Sequence, residues 1–141
     1  MIVVVCPGQG SQTPGFLAPW LELEVFNQSI NAMALASGID LVAHGTVSDA
    51  DTIRDTAVAQ PLIVAAGVAS LAQLLDGQDA KQAGIHGVAG HSVGEITAAV
   101  AAGIFTADDG IKFVKARGDA MAKAAALEAT SMAAVLGGEQ S

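Results

Sequence analysis

Ser92 lies at the centre of the pattern Gly90-His91-Ser92-Val93-Gly94, between an apolar run and an alanine-rich run. A Gly-x-Ser-x-Gly pattern between a strand and a helix is typical of a nucleophile elbow, a strained turn that exposes the serine hydroxyl. Glycines suit such a turn because side chains there would clash with neighbouring backbone. The hydroxyl would lie at a helix N-terminus, whose dipole and N–H groups favour a developing oxyanion. The alternative is that Ser92 only caps the helix in a glycine-rich turn.

A serine nucleophile needs a general base, usually histidine, and the chain has three histidines. His91 adjoins Ser92, so we expect its side chain to leave the elbow in a different direction. His86 lies six residues upstream of Ser92, roughly 20 Å away at about 3.3 Å per strand residue. His44 has no supporting context and is expected to be a free surface histidine. None of the three is predicted to be the base.

Arg117 is one of only six basic residues in the chain. On a helix beginning near residue 107 it lies beside an apolar stripe, between Phe113 and Met121. Its neighbours three and four positions away are not acidic, so no carboxylate of its own helix can neutralise it. The guanidinium therefore needs a partner from elsewhere, either a bidentate substrate carboxylate, a structural salt bridge, or solvent. The stripe comprises Ile111, Val114, Gly118, Met121 and Ala125.

Bulk composition limits the classes of protein. The 141 residues suit one domain, and a net charge of −8 argues against a nucleic-acid surface. Cys6 is the only cysteine, which excludes an internal disulfide and a cysteine metal cluster, and no metal site is predicted. The most apolar stretch, 61–75, is shorter than a membrane span, and the N-terminus lacks a signal-peptide pattern. We therefore expect a cytoplasmic protein with no membrane partner.

Short apolar runs alternate with helical patterns along the chain. Residues 1–6 predict a strand buried on both faces, and residues 85–90 predict a second strand. The run 57–75 predicts a buried helix with Pro61 in its first turns. A third strand is predicted to start within 131–138. This alternation indicates an α/β fold around a parallel sheet.

Capping residues mark several helix ends. Residues 16–36 are expected to be helical in part, broken by Pro19 and closed by Gly38. The stretch 48–51 has capping-box spacing for a short helix. A helix over 94–102 should end at Gly103 as its left-handed cap. A second capping box, Thr106 with Asp109, should open a helix of about twenty residues.

The motifs "GHSVGE" (90–95) and "PGQGSQTPG" (7–15) together resemble those of the malonyl-CoA:acyl-carrier-protein transacylase family. "VAQPLIVAA" (58–66) and "ARGDAM" (116–121) resemble its helices, in the same order. The resemblance implies an α/β-hydrolase-like parallel-sheet core with an inserted ferredoxin-like subdomain. It also implies a ping-pong reaction. A serine takes malonyl from coenzyme A and passes it to the phosphopantetheine thiol of acyl carrier protein, in fatty acid biosynthesis and without a further cofactor.

The resemblance assigns roles residue by residue. Ser92 matches the acylated nucleophile. Gln9 matches the residue whose backbone N–H forms half of the oxyanion hole, and the Val93 N–H would form the other half. Glycines at positions 8 and 10 suit this role because they let the backbone approach a substrate closely.

Three further residues match positions that bind substrate. Arg117 resembles the arginine that binds malonate. Gln60 and Met121 match positions near the pocket, although Gln60 could equally be a buried amide at a helix start and Met121 a core residue. Glu95 could be a general base, but we favour a carboxylate that stabilises a helix N-terminus.

The chain differs from the family pattern at its C-terminal end. We expect residues 1–130 to form the N-terminal part of the acyltransferase core and residues 131–141 to start the small subdomain. The family's catalytic histidine lies in the second half, so we expect this chain to be inactive alone and to pair with its complementary half. The alternatives are a serine esterase or lipase of the α/β-hydrolase fold, and a non-catalytic fragment that binds carrier protein or coenzyme A.

Overall fold

The computed structural model describes residues 1–127, so the predictions for 131–138 and 131–141 lie outside the described residues. Within 1–127 the chain is a mixed α/β structure, as predicted. A 3₁₀ helix covers Trp20–Glu22. The strands and α-helices, in chain order, are β1 (Ile2–Cys6), α1 (Glu24–Ser37), α2 (Leu41–Thr46), α3 (Ala50–Arg54), α4 (Thr56–Leu75), β2 (Ile85–Gly90), α5 (Gly94–Ala101) and α6 (Ala107–Ala125).

β1 and β2 pair in parallel, which confirms the predicted sheet. Val4 lies opposite Val88 and Cys6 lies opposite Gly90, with an irregularity between Ile2 and Val3. The connection between the strands carries helices α1–α4, because parallel neighbours need a long crossover. The carboxyl ends of both strands therefore meet at one edge of the sheet, where the loop after β1 and the turn after β2 lie together.

The prediction that β1 is buried on both faces is wrong for the part of the chain described. Val5 is 72% exposed and Ile2 is 54% exposed, whereas Cys6 is 3% exposed. The reason is that β1 has one neighbouring strand within residues 1–127, and the helices there cover only its carboxyl end. Burial raises the pKa of the Cys6 thiol.

Helix α4 is the core helix of the described region, as predicted. Its buried residues include Leu62, Val64 and Ala65, and it packs against α1, α5 and α6. Pro61 lies in the first turns of α4, where the lack of a backbone N–H disrupts the helical hydrogen bonds least. By length and composition α4 could also cross a membrane, but 56% of its apolar window is buried inside the protein, as in a core helix.

The helix ends follow the predicted caps with one correction. Gly38 and Gly103 adopt left-handed conformations with φ of 69° and 73°. The Asp109 N–H donates to Thr106 Oγ1 at 3.0 Å, which confirms that cap of α6. At α3, however, the cap is Asp49, whose carboxylate accepts the Thr52 N–H at 2.8 Å. Asp49 is the better cap here because a carboxylate also interacts favourably with the helix dipole.

Candidate active site

Ser92 lies in the turn between β2 and α5 with φ of +53°. This left-handed conformation is costly for a residue other than glycine and is typical of strained functional turns. A Cβ on Gly90 would collide with the backbone of Gly94, and a Cβ on Gly94 would collide with the Cys6 and Pro7 carbonyls. The N-cap of α5 is not Ser92 and no side chain caps that helix. The geometry of a nucleophile elbow is therefore present, and the capping alternative is wrong.

The loop after β1 packs directly against this turn. The His91 N–H donates to the Cys6 carbonyl at 3.1 Å. A Cβ on Gly8 would lie 2.6 Å from His91 Nδ1, so only glycine fits beside the imidazole. The motif 7–15 and the motif 90–95, which residues 16–89 separate in the sequence, thus form one site at the carboxyl edge of the two strands.

Gln9 and Val93 carry the two N–H groups that the resemblance assigns to an oxyanion hole. Within residues 1–127 neither N–H donates to a protein acceptor. The Gln9 side chain donates to Thr56 Oγ1 at 3.3 Å, and the Val93 side chain is buried in the core. Both N–H groups are thus without a protein acceptor among the described residues, and Val93 as a whole residue is 1% exposed.

Arg117 reaches the elbow from helix α6. Its Nη2 donates to Ser92 Oγ at 3.4 Å, and its Nη1 donates to Gln60 Oε1 at 2.5 Å. Gln60 is 1% exposed, and its Nε2 donates to Met121 Sδ at 3.2 Å. Because an arginine can only donate, the amide oxygen of Gln60 must face it, which leaves the amide nitrogen for the sulfur. The four side chains form a continuous chain of contacts that ends at Ser92.

This chain of contacts bears on Gln60 and Met121, for each of which the sequence left two roles open. Gln60 is buried as an amide behind Arg117, where it holds the guanidinium in place. Met121, predicted to lie on the buried stripe, is 39% exposed and lines the cleft. The stripe is buried at Ile111, Val114 and Gly118 only, because beyond Gly118 the helix extends past the packed core.

The charge on Arg117 is not neutralised by the described residues. Its partners in residues 1–127 are an amide and a hydroxyl, and none of the three ion pairs there includes it. Lys112, on the same helix, pairs with Asp108 at 2.6 Å, and this hydrogen bond raises the pKa of the lysine. Arg117 is thus placed to receive an anion next to Ser92.

Next to the elbow lies a cleft of about 700 Å³, whose lining includes Ser92 but not Arg117 or Val93. The predicted residues Gln9, Gln60, Ser92 and Met121 line it. The structure adds Gln12 and Arg54, which sequence analysis did not single out. Gln12 belonged to the quoted loop motif, but nothing in the sequence indicated where its side chain points.

The histidines of the described region are placed as follows. His91 lines the cleft but forms no hydrogen bond with Ser92. His86 Nδ1 accepts the Ile2 N–H at 3.2 Å, at the other end of the sheet. His44 is half-buried and bonded to Ser48 Oγ at 3.1 Å, so the expectation of a free surface histidine is wrong. Within residues 1–127 no histidine side chain is hydrogen-bonded to the Ser92 hydroxyl. The same residues contain no group of three or more His, Cys, Asp and Glu side chains that could hold a metal ion.

Comparisons with known proteins agree with this geometry. The acyl transferase domain family matches residues 3–140. The malonyl CoA-acyl carrier protein transacylase of Mycobacterium tuberculosis (strain H37Rv) is 48% identical over 145 residues, covering 99% of this chain and 46% of that protein. The crystal structure of MCAT from Mycobacterium tuberculosis superposes with a TM-score of 0.83 at 47% identity, covering 91% of this chain and 42% of that chain.

A second solved structure is a type II PKS acyl-carrier protein in complex with its malonyl-transacylase, PlMCAT:AntF. It superposes with a TM-score of 0.76 at 31% identity, covering 87% of this chain and 39% of that chain. The chain spans about half the length of the curated relatives it matches. Since the family match includes the elbow, the loop after β1 and the arginine helix, the chain belongs to the acyl transferase domain family.

Proposed function

We propose that this chain contributes the nucleophile and the acyl-binding arginine of a malonyl-CoA:acyl-carrier-protein transacylase. The observation that carries the proposal is the contact between Arg117 Nη2 and Ser92 Oγ at 3.4 Å. In a malonyl group the carboxylate carbon is two bonds from the carbonyl carbon. A cation that touches the nucleophile can therefore hold that carboxylate while the carbonyl is attacked.

The first half-reaction forms a malonyl ester on Ser92. The Ser92 oxygen attacks the thioester carbonyl and loses its proton to a base, and the coenzyme A thiolate leaves when the tetrahedral intermediate collapses. In the second half-reaction the phosphopantetheine thiol attacks the ester carbonyl, and the serine oxygen leaves and regains a proton. The elbow supports this role because its strain exposes the hydroxyl and keeps it near the N-terminus of α5.

The negative charge of each intermediate would be held by the Gln9 and Val93 N–H groups. Their lack of acceptors within residues 1–127 supports this assignment. Preorganised donors of this kind lower the barrier because they need no rearrangement as the charge develops. The base is proposed to come from outside residues 1–127, since no histidine described there is hydrogen-bonded to the Ser92 hydroxyl.

Arg117 would select for a carboxylated acyl group. Gln60 holds one side of the guanidinium and leaves the other side, next to Ser92, for a bidentate interaction with the malonyl carboxylate. The absence of an ion pair between Arg117 and the described carboxylates supports the role, because a paired guanidinium would have to break that bond first.

The proposal extends to partners and fold. The acceptor would be the thiol of a carrier protein, supported by the solved complex of a similar malonyl-transacylase with its carrier protein. With a net charge of −8, docking of an acidic partner would need a local basic patch. Residues 1–130 would belong to an α/β-hydrolase-like core and residues 131–141 to the start of an inserted subdomain. The enzyme would work in the cytoplasm with no cofactor besides its thioester substrate.

The test uses a full-length chimera, in which residues 1–141 are continued by the C-terminal half of the Mycobacterium tuberculosis relative. We expect malonyl-CoA to add a malonyl mass to the peptide containing Ser92 and Ser92→Ala to remove it. Transfer to a carrier-protein thiol distinguishes a transacylase from an esterase, which would release malonate to water. A chimera that binds malonyl-CoA but never forms the ester would instead support a non-catalytic binding module.

Arg117→Ala tests the selectivity. Losing a hydrogen bond to a charged group costs about 1.5–3 kcal/mol, so malonyl transfer should fall at least about tenfold. Transfer of uncharged acetyl should be retained, and Arg117→Lys should be a poor substitute because lysine lacks the planar fork. Arg54→Ala is the matched control, since Arg54 lines the same cleft but pairs with Asp51. Equal losses for malonyl and acetyl would show that Arg117 has a structural role only.

A further inference from the structure

The loop after β1 is held by two of its own side chains. Ser11 Oγ donates to the Gly8 carbonyl at 3.0 Å. Gln12 Oε1 accepts the Gly10 N–H at 2.9 Å, and Gln12 Nε2 donates to the Ile53 carbonyl at 2.9 Å. Gln12 thereby links the loop to helix α3, 41 positions away in sequence.

These bonds act on the peptide groups on both sides of Gln9. The Gly8 carbonyl and the Gln9 N–H belong to one planar trans peptide, so they point in opposite directions. A hydroxyl that holds the carbonyl therefore sets the direction of the N–H. The next peptide carries the Gly10 N–H, which Gln12 holds, and Gly10 has φ of +106°. Ser11 and Gln12 together fix both peptide planes that meet at Gln9.

The loop needs such restraint next to Gln9, because a glycine lies on either side of that residue. Gly8 and Gly10 have wide conformational freedom, and Gln9 is exposed. An oxyanion donor is effective only when it is oriented before charge develops, and a misplacement of about 1 Å can cost about a hundredfold in rate. Two glycines next to the donor would allow that misplacement unless side chains prevent it.

We propose that Ser11 and Gln12 are positioning residues that orient the Gln9 N–H toward the carbonyl oxygen of the acyl group on Ser92. This inference rests on the proposed function and extends it to two residues whose side chains hydrogen-bond the backbone of the loop and of α3. Ser11 sets the peptide plane of the donor. Gln12 anchors the loop to α3 and holds the following peptide.

The first measurement needs no catalysis and uses residues 1–141. Water exchange of the Gly10 amide, followed by NMR, should be up to about tenfold faster in Gln12→Leu, because its acceptor is gone. Gln12→Glu keeps an acceptor for Gly10 and should keep its protection. Gln28→Leu is the control, since Gln28 is exposed on α1 and bonds only Glu24. Unchanged Gly10 exchange in Gln12→Leu would overturn the inference.

The second measurement uses the full-length chimera and separates positioning from folding. In Ser11→Ala and Gln12→Leu, kcat for malonyl transfer should fall about 10- to 100-fold, less than the 10²–10³-fold loss on removing an oxyanion donor. KM for malonyl-CoA should stay within about twofold, because the Ser11 hydroxyl and the Gln12 amide are already bonded to backbone groups of the loop and of α3. An unchanged kcat, or a parallel loss of binding, would overturn the positioning role. If the parent chimera transfers no malonyl group, the proposed function fails and this role fails with it, while Gly10 exchange still reports whether the restraint exists.

Discussion

Replacing Ser92 by glycine should make the protein more stable while removing its nucleophile. Ser92 has φ of +53°, a conformation that costs roughly 1–2 kcal/mol for an L-residue with a side chain and nothing for glycine. Glycine has the opposing cost of greater freedom in the unfolded chain, about 0.5–1 kcal/mol. The balance predicts that Ser92→Gly raises the free energy of unfolding by about 0.5–1 kcal/mol.

The comparison with Ser92→Ala isolates the backbone strain. Both variants lose the hydroxyl and its contact with Arg117 Nη2, but alanine keeps the strained φ. Ser92→Gly should therefore be about 1 kcal/mol more stable than Ser92→Ala. Urea unfolding of residues 1–141 measures the difference as a shift in midpoint at constant slope.

The control is Ser29, in the interior of helix α1. Glycine costs about 1 kcal/mol relative to alanine in a helix, so the order of the two variants should reverse at Ser29. If Ser92→Gly is no more stable than Ser92→Ala, the elbow stores no strain and the reasoning about this turn is wrong.

Two further predictions concern packing and pH. Gly94→Ala should lower the free energy of unfolding by about 1–3 kcal/mol, because its Cβ would collide with the Cys6 and Pro7 carbonyls. In the control Gly87→Ala, the new Cβ would lie 3.8 Å from the Val3 side chain. The free energy of unfolding of that variant should therefore change by no more than about 0.5 kcal/mol. Equal effects at Gly94 and Gly87 would contradict the close packing of the elbow. Hydrogen bonds from the Thr52 backbone and side chain lower the pKa of Asp49 from its usual 3.8. The ionised carboxylate therefore stabilises α3 fully above pH 3.8, and this stabilisation is lost as the pH falls through the lower pKa of the folded protein. An NMR titration of the Asp49 carboxyl with a midpoint at or above 3.8 would refute this.

Local sequence signals predicted the elements that position the site. β2 occupies residues 85–90 as expected, and the caps at Gly103 and Thr106 are where their residue types placed them. These features depend on backbone conformation and on neighbours within four positions, which a sequence states directly. The need of Arg117 for a distant partner was also visible, because its helical neighbours offered no carboxylate.

Features that depend on distant contacts could not be predicted. The side chain of Gln12 reaches Ile53, and the amide of Gln60 joins α4 to α6. The exposure of Val5 depends on which elements cover the sheet. An apolar run in the sequence does not indicate whether that face of the strand is covered by other elements or exposed to solvent.

The pairing of β1 with β2 has a consequence for synthesis of the protein on the ribosome. The N–H of Ile2 bonds to His86, so the first strand meets its partner 84 positions later. At about 5–20 residues per second, β1 emerges roughly 4–17 s before β2 is made. The helices between the two strands depend on contacts between residues that are closer in sequence, so they can form during that interval. Strand β1 is thus left without its partner strand for seconds, which makes this apolar strand a segment that a ribosome-associated chaperone could bind in that interval.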